Sequence, residues 1–289
     1  MRVAVIGALG QLGTDLCQKL GDQAVPLTHD DVELTEPDSI RRALDQATPD
    51  CVVNTAAYNF VDRAEDEPER ACAVNAFGVR NLAVVCADRA VPLVHVSTDH
   101  VFGIDRNRST PYRESDAPGP VSVYGVSKLA GEYFVRSVCE RHFVVRTCGL
   151  YGKAGRSGRG KGNFVETMLR LGRERPEVRV VDDQRCTPTA TVDLAGAILR
   201  LVQTDAYGLY HVTNAGEATW FEFATEIFRQ AGIKTRVVPV RSDEFGTKAR
   251  RPAYSALDCR KLEGVTGLKL RPWRDALCDY LGWRAADEP

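Results

Sequence analysis

Apolar residues follow two alternating rhythms in the first half of the chain. Short unbroken runs occur at Val3-Ala4-Val5-Ile6, Cys51-Val52-Val53-Asn54, Pro92 to Val96 and Phe143-Val144-Val145-Arg146. Unbroken runs of this length read as strands buried on both faces. Between them, apolar positions recur at helical spacing from Gln11 to about Leu20, from Ile40 to Ala47 after the Glu36-Pro37-Asp38 lead-in, from Glu67 to Ala90, and from Tyr124 to Arg141. Strands that alternate with helices predict a parallel sheet covered on both faces. The second half is less regular. It predicts helices over Asn163–Arg173, Thr191–Val202 and Trp220–Ala231 and strands over Val178–Val181 and Leu209–Thr213, then a proline-punctuated stretch.

The strand at Val3–Ile6 leads directly into Gly7-Ala8-Leu9-Gly10-Gln11-Leu12-Gly13. A buried strand, a glycine turn and a helix form the arrangement that seats a dinucleotide pyrophosphate. Glycines let the backbone approach phosphate oxygens, and the helix start offers free N–H groups to the anion. The spacing is G-x-x-G-x-x-G rather than G-x-G-x-x-G, and without the preceding strand an ordinary strand-to-helix turn would explain it equally well. The predicted fold class is therefore α/β, a Rossmann-type doubly wound parallel sheet with a smaller, interleaved C-terminal substrate lobe. The cofactor domain is expected over 1–150, with part of 176–206 returning to it, and the substrate lobe mainly over 151–289.

Two further patterns fall at predicted strand or helix ends. Tyr124-Gly125-Val126-Ser127-Lys128 places a phenol and an ammonium one helical turn apart. A neighbouring ammonium favours the phenolate, which makes tyrosine useful as a proton donor and acceptor. Ser97-Thr98-Asp99-His100-Val101-Phe102 follows a buried strand and offers a hydroxyl to a substrate oxygen. Each has a plainer reading: a surface tyrosine beside a solvated lysine, and polar residues capping a turn. Glycine turn, strand-end hydroxyl and Tyr-x-x-x-Lys occur in the order that a carbonyl reductase needs.

Bulk properties narrow the setting. The chain has 289 residues, 44% hydrophobic and 27% charged, with a net charge of -1. That balance gives no reason to expect a nucleic-acid or membrane partner. No apolar run is expected to span a bilayer, and Met1-Arg2-Val3 enters a strand with no signal peptide expected before it. The 9 cysteines lack C-x-x-C spacing, which suggests reduced thiols in the cytoplasm. The 5 histidines lack metal-ligand spacing, and Asp182-Asp183, which could pair on a metal, reads more simply as polar residues ending a strand.

With these residues in view, the chain resembles the dTDP-4-dehydrorhamnose reductase family of the extended short-chain dehydrogenase/reductase superfamily. The resemblance covers almost the whole chain. It runs through Gly10-Gln11-Leu12-Gly13, Pro49 to Tyr58, Val61-Asp62-Arg63-Ala64-Glu65, Val74-Asn75-Ala76, Ser97-Thr98-Asp99, Tyr124 to Glu132, Arg146-Thr147, Tyr151-Gly152, Gly162-Asn163-Phe164, Asp183-Gln184, Thr187-Pro188-Thr189, Asp193-Leu194-Ala195, Arg251-Pro252 and Ser255 to Asp258. It implies NAD(P)H-dependent reduction of the 4-keto group of a nucleotide-linked deoxysugar, as in dTDP-4-dehydrorhamnose to dTDP-L-rhamnose.

In that frame Tyr124 protonates the developing alkoxide, Lys128 lowers the tyrosine pKa and holds the nicotinamide ribose, and Thr98 orients the ketone oxygen. The cofactor set implied is Gly7, Gly10, Gln11, Leu12, Gly13, Glu33, Leu34, Ala56, Ala57, Tyr58, Tyr124 and Lys128. The substrate set is Val61, Thr98, Asp99, His100, Asn163, Phe164, Arg185 and Arg251. Glu33 would favour a free 2′-hydroxyl, yet relatives accept NADPH, so NADPH leads and NADH stays open. A monomer or homodimer is expected, with a nucleotide-diphosphate sugar as the partner.

The chain departs from the family pattern on the substrate side. His100 stands for tyrosine, Cys148-Gly149 for Ser-Trp, and Arg185-Cys186 follows Asp-Gln where the family has glycine. The loop 153–162 is long and basic, with Lys153, Arg156, Arg159 and Lys161. It misses the P-loop pattern because Gly162 follows Lys161, and it reads as a lid over a substrate diphosphate or as a plain loop. These changes leave the sugar open. A nucleotide-sugar epimerase or dehydratase, or a non-catalytic NADP-binding regulatory subunit, are the alternative functions.

Overall fold

The computed structural model describes residues 1–156 and 162–286, so Arg159 and Lys161 of the expected lid lie outside the described residues. Its main sheet has 6 parallel strands. They are β1 (Val3–Ile6), β2 (Ala24–Leu27), β3 (Cys51–Asn54), β4 (Leu93–Thr98), β5 (His142–Thr147) and the strand Gly208–His211. From one edge they run Gly208–His211, β5, β4, β3, β1, β2. The order reverses between β1 and β3, which opens a crevice at their carboxyl ends.

Alternate residues of each strand feed two cores. Ala4, Ile6 and Val52 pack with Ile40, Leu44, Leu82 and Val135 on one face. Val3, Val5 and Val53 pack with Leu12, Leu16, Leu194 and Ile198 on the other. This double burial explains why the strands read as continuous apolar runs.

The helices Gln11–Leu20 and Thr191–Leu201 cover one face. The helices Pro37–Ala47, Pro68–Asp88 and Val123–Val138 cover the other. Pro68–Asp88 spans 21 residues, and an 18-residue stretch within it has a mean hydropathy of 1.2, long and apolar enough to cross a membrane by those measures alone, contrary to the expectation from sequence. Its apolar side, including Val79, Leu82, Ala83 and Val85, is core packing against the sheet.

Two features escaped the sequence reading of this half. β2 carries Pro26, and as an edge strand it tolerates the missing donor. The long helix also opens into a π-helical stretch at Ala73–Gly78. There Asn75 donates to the Tyr58 carbonyl (2.9 Å) and to Ser127 Oγ (3.0 Å) and accepts from the Tyr58 N–H (2.9 Å).

A second packing unit gathers Tyr151, Leu169, Phe223, Ile227, Trp273 and Leu277. It comprises the helices Phe164–Glu174, Trp220–Gln230 and Trp273–Ala286 and a parallel pair of strands, Glu177–Val181 with Arg236–Val240. Thr219 and Glu222 form a capping box that starts the helix Trp220–Gln230.

Candidate active site

The glycine turn lies at the carboxyl end of β1, beside the crevice. Gly7 has φ +80, and a Cβ there would stand 2.8 Å from Thr55 Oγ1 and 2.9 Å from the Ala56 nitrogen. At Gly13 a Cβ would stand 2.2 Å from the Gly7 carbonyl oxygen. Glycine is therefore required at both positions for the turn to close. The helix Gln11–Leu20 starts after Gly10 with no side chain capping it, so its first N–H groups and its dipole face the crevice. Backbone donors at a Cβ-free turn fit a dinucleotide pyrophosphate.

Next to this turn a cavity of about 260 Å³ is lined by Gly7, Glu33, Leu34, Ala56, Ala57 and Tyr58, all from the expected cofactor set. Glu33 is turned back onto its own loop. Its Oε1 accepts from the Thr35 N–H and hydroxyl, both at 2.9 Å, and these bonds outweigh its partial burial to hold its pKa below the usual carboxylate value. His29, Arg63 and Arg70 stand at the same cavity.

Gln11 links the turn to the second packing unit. Its Oε1 accepts from the Gly152 N–H and from Asn163 Nδ2, both at 2.9 Å, and its Nε2 donates to the Gly162 carbonyl at 3.2 Å. Both ends of the basic loop are thus tied to the turn. Asn163 also caps the helix Phe164–Glu174 through the Glu166 N–H (2.9 Å). Phe164 packs beside Trp220, ring centroids 4.7 Å apart. A Cβ on Gly149 would lie 3.6 Å from Trp220, so an aromatic ring from another element stands beside the position where the family pattern has tryptophan.

Thr98 ends β4, and Ser122 caps the helix Val123–Val138 by accepting from the Gly125 N–H (3.2 Å). That cap places Tyr124 in the first turn, beside Thr98. Burial pushes the Tyr124 phenol up to about 12, while hydrogen bonding with Thr98 opposes the shift and the nearby Asp99 adds to it. The His100 ring meets Tyr124 edge-on at 5.5 Å. Lys128 lies one turn along the same helix. Its Nζ is drawn under the sheet end, donating to the Val96 carbonyl at 2.8 Å and standing 3.3 Å from His95 Nε2. Burial pulls the amine down to about 8, against the opposing pull of Glu132.

The remaining expected residues spread around this centre. The Asp99 carboxylate accepts from Thr98 (3.2 Å), Cys148 (3.0 Å) and Ser255 (2.6 Å). Arg251 clasps Asp62, next to Val61, at 2.8 and 3.1 Å. Arg185 pairs with Glu222 at 3.1 Å, and its carbonyl accepts from the N–H of Ser255, the residue that bonds Asp99. Beneath the site, Arg146 and Glu132 form a fully buried pair that also holds Ser97. Sequence reasoning gave no role to His95, Asn54, Glu132 or Arg146. For His95, Asn54 and Arg146 the signal was a lone polar residue in or ending an apolar run, and for Glu132 a carboxylate one turn after Lys128.

These features match known proteins over nearly the full length. A dTDP-4-dehydrorhamnose reductase of Mycolicibacterium smegmatis is 42% identical, covering 96% of this chain and 84% of that protein. A dTDP-4-keto-6-deoxy-D-glucose reductase of Streptomyces niveus is 40% identical, covering 99% of both. The crystal structure of the dTDP-4-dehydrorhamnose reductase from Bacillus anthracis in complex with NADP superposes with a TM-score of 0.92 at 39% identity, covering 98% of this chain and 99% of that one. The family profile described as RmlD substrate binding domain matches residues 1–284, and the chain belongs to that family.

Proposed function

We propose that this protein is an NADPH-dependent reductase of the 4-keto group of a dTDP-linked 6-deoxyhexose, with dTDP-4-dehydrorhamnose as the first substrate to test. The observation that carries the reading is the meeting of Thr98 and Tyr124 at the end of β4, beside a glycine turn whose geometry suits a dinucleotide. Relatives at about 40% identity bear the names of 4-ketoreductases.

The bound cofactor supplies hydride, and this chain's residues manage the proton. Tyr124 is held protonated well above neutral pH, so it meets the substrate as an acid. Thr98 orients the ketone oxygen toward that phenol. Once the oxygen carries negative charge, Tyr124 gives up its proton to it, and the Thr98 hydroxyl turns its one hydrogen from Asp99 to the phenolate left behind. Gly7, Gly10 and Gly13, with the Gln11, Leu12 and Gly13 N–H groups, hold the pyrophosphate. Ala56, Ala57 and Tyr58 line the adenosine side. Lys128 belongs at the nicotinamide ribose.

Glu33 engages Thr35 through Oε1 and keeps Oε2 for a 2′-hydroxyl, so NADH stays a second cofactor to test. Arg63 and Arg70 stand at the same cavity, paired with Glu67 at 2.7 and 3.3 Å, and the relative from Bacillus anthracis was solved with NADP, which supports NADPH. Val61, Asp99, His100, Asn163, Phe164, Arg185 and Arg251 form the proposed substrate side, with Lys153 and Arg156 over the diphosphate. The test is loss of nicotinamide absorbance with dTDP-4-dehydrorhamnose and related dTDP-4-keto sugars. Tyr124→Phe is expected to lower kcat by about 10²–10⁴-fold while NADPH still binds. No turnover by the unaltered protein on any of these sugars would refute the proposal.

A further inference from the structure

Directly under Lys128, a chain of polar groups sits inside the sheet with no exposure to solvent. His95 of β4 and Asn54 of β3 are both 0% exposed. Asn54 Oδ1 accepts from the Ala56 N–H at 3.1 Å, which fixes the orientation of its amide. Asn54 Nδ2 therefore points at His95 Nδ1, 3.3 Å away, and donates to it. A neutral imidazole has one donor and one acceptor nitrogen. With Nδ1 accepting, the proton belongs on Nε2. That nitrogen faces Lys128 Nζ at 3.3 Å. An ammonium has only donors, so the contact closes only if Lys128 is an amine whose lone pair accepts from His95. The amine still gives a hydrogen to the Val96 carbonyl. Gly131 leaves room for this stack, since a Cβ there would stand 3.6 Å from His95 Nε2 and 2.2 Å from the Asn75 carbonyl oxygen.

We infer that His95 is a positioning residue for the active-site lysine: fixed by Asn54 as the Nε2–H tautomer, it donates to Lys128 as the amine and disfavours the ammonium, so that Lys128 gives up its proton more readily in the cofactor-free protein. Burial independently pulls both groups toward their neutral forms.

The other groups around Lys128 do not undo this. Glu132, one turn along the same helix, favours the ammonium, but its carboxylate is taken up by Arg146 of β5 and Ser97 of β4. Tyr124, one turn earlier, is a neutral phenol in this state, and Asp99 beyond β4 bonds Thr98, Cys148 and Ser255. Asn54 and Asn75 carry no charge. The inference rests on the reductase reading only for its kinetic consequence, a fall in kcat/KM as Lys128 loses its proton above about pH 8.

The direct test uses cofactor-free protein and needs no activity. The ring-nitrogen NMR signals of His95 are assigned by replacing the other 4 histidines one at a time. An Nε2–H pattern unchanged from mildly acidic to alkaline pH is expected. An Nδ1–H pattern, or an imidazolium at about pH 6, overturns the inference. The second test is His95→Gln, whose amide can turn its carbonyl to Lys128 and accept from an ammonium. The basic limb of kcat/KM is expected to move up by about half to one pH unit. An active variant with an unmoved limb would show that His95 only fills space, and the inference would fall while the reductase reading stood.

Discussion

Glu132 receives four hydrogen bonds within the core. Arg146 Nε reaches its two oxygens at 2.9 and 3.2 Å, Arg146 Nη2 reaches Oε2 at 2.6 Å, and Ser97 Oγ donates to Oε1 at 2.5 Å. Both side chains of the ion pair are at most 2% exposed. The carboxylate thus joins the helix bearing Tyr124 and Lys128 to β4 and β5. Glu132→Ala leaves a buried guanidinium whose remaining neighbours are the Phe102 ring at 5.0 Å and His211, held neutral, at 3.5 Å. Stranding one charge of a buried pair costs about 3–5 kcal/mol, several times the worth of an exposed pair.

The assay is urea unfolding followed by circular dichroism, with the slope checked so that a shifted midpoint reports stability. The double replacement Glu132→Met with Arg146→Met removes both charges together. It is expected to recover most of the loss, because an apolar pair has no desolvation cost. A Glu132→Ala loss below about 1 kcal/mol, or a double variant as unstable as the single one, would refute this account of the joint.

Three further outcomes follow from the same geometry. Gly13→Ala drives a Cβ to 2.2 Å from the Gly7 carbonyl oxygen and should cost about 1–3 kcal/mol together with NADPH affinity. Gly196→Ala, whose Cβ would meet only the Lys19 side chain at 3.9 Å, should be neutral or stabilising by under about 1 kcal/mol, with both variants compared by urea midpoint and cofactor titration. Burial lowers His211 from its ordinary 6.5 to about 3, so the unfolded chain binds a proton first as pH falls. Its share of stability is present above 6.5 and is lost through that window. About 2 kcal/mol should be gone at about pH 5, and His211→Gln should remove that part of the slope in pH-dependent unfolding. Among the cysteines, Cys278 is exposed while burial pushes the Cys51 thiol up to about 12, so a thiol reagent should modify Cys278 first and Cys278→Ser should remove the fast phase.

Much of the main sheet was legible because strands buried on both faces must be apolar throughout. The helix Gln11–Leu20 matches its expected bounds, and Trp220–Gln230 ends one residue early. β2 was missed because Pro26 argues against a strand unless the strand is known to be an edge. The strand Arg236–Val240 was hidden likewise by Pro239, and its partner lies far away in sequence. The π-helical stretch has no periodicity signature, since it depends on Asn75 meeting Tyr58 and Ser127 across the fold. Spacing found Tyr124 and Lys128 but not the groups that surround the amine. A shared helix face says where two side chains start, whereas His95 and Val96 on another element decide where the Lys128 amine ends.

The central claim is net hydride transfer to C4 of a nucleotide-linked keto sugar, and isotope transfer tests it most directly. Incubation of dTDP-4-dehydrorhamnose with NADPH deuterated at the transferring position, followed by mass spectrometry and NMR of the sugar, reports where the hydrogen goes. The account predicts one deuterium at C4 of the sugar for each NADP⁺ formed, and no transfer by Tyr124→Phe on the same timescale. A product without deuterium at C4, or sugar conversion with no net NADP⁺, would contradict it.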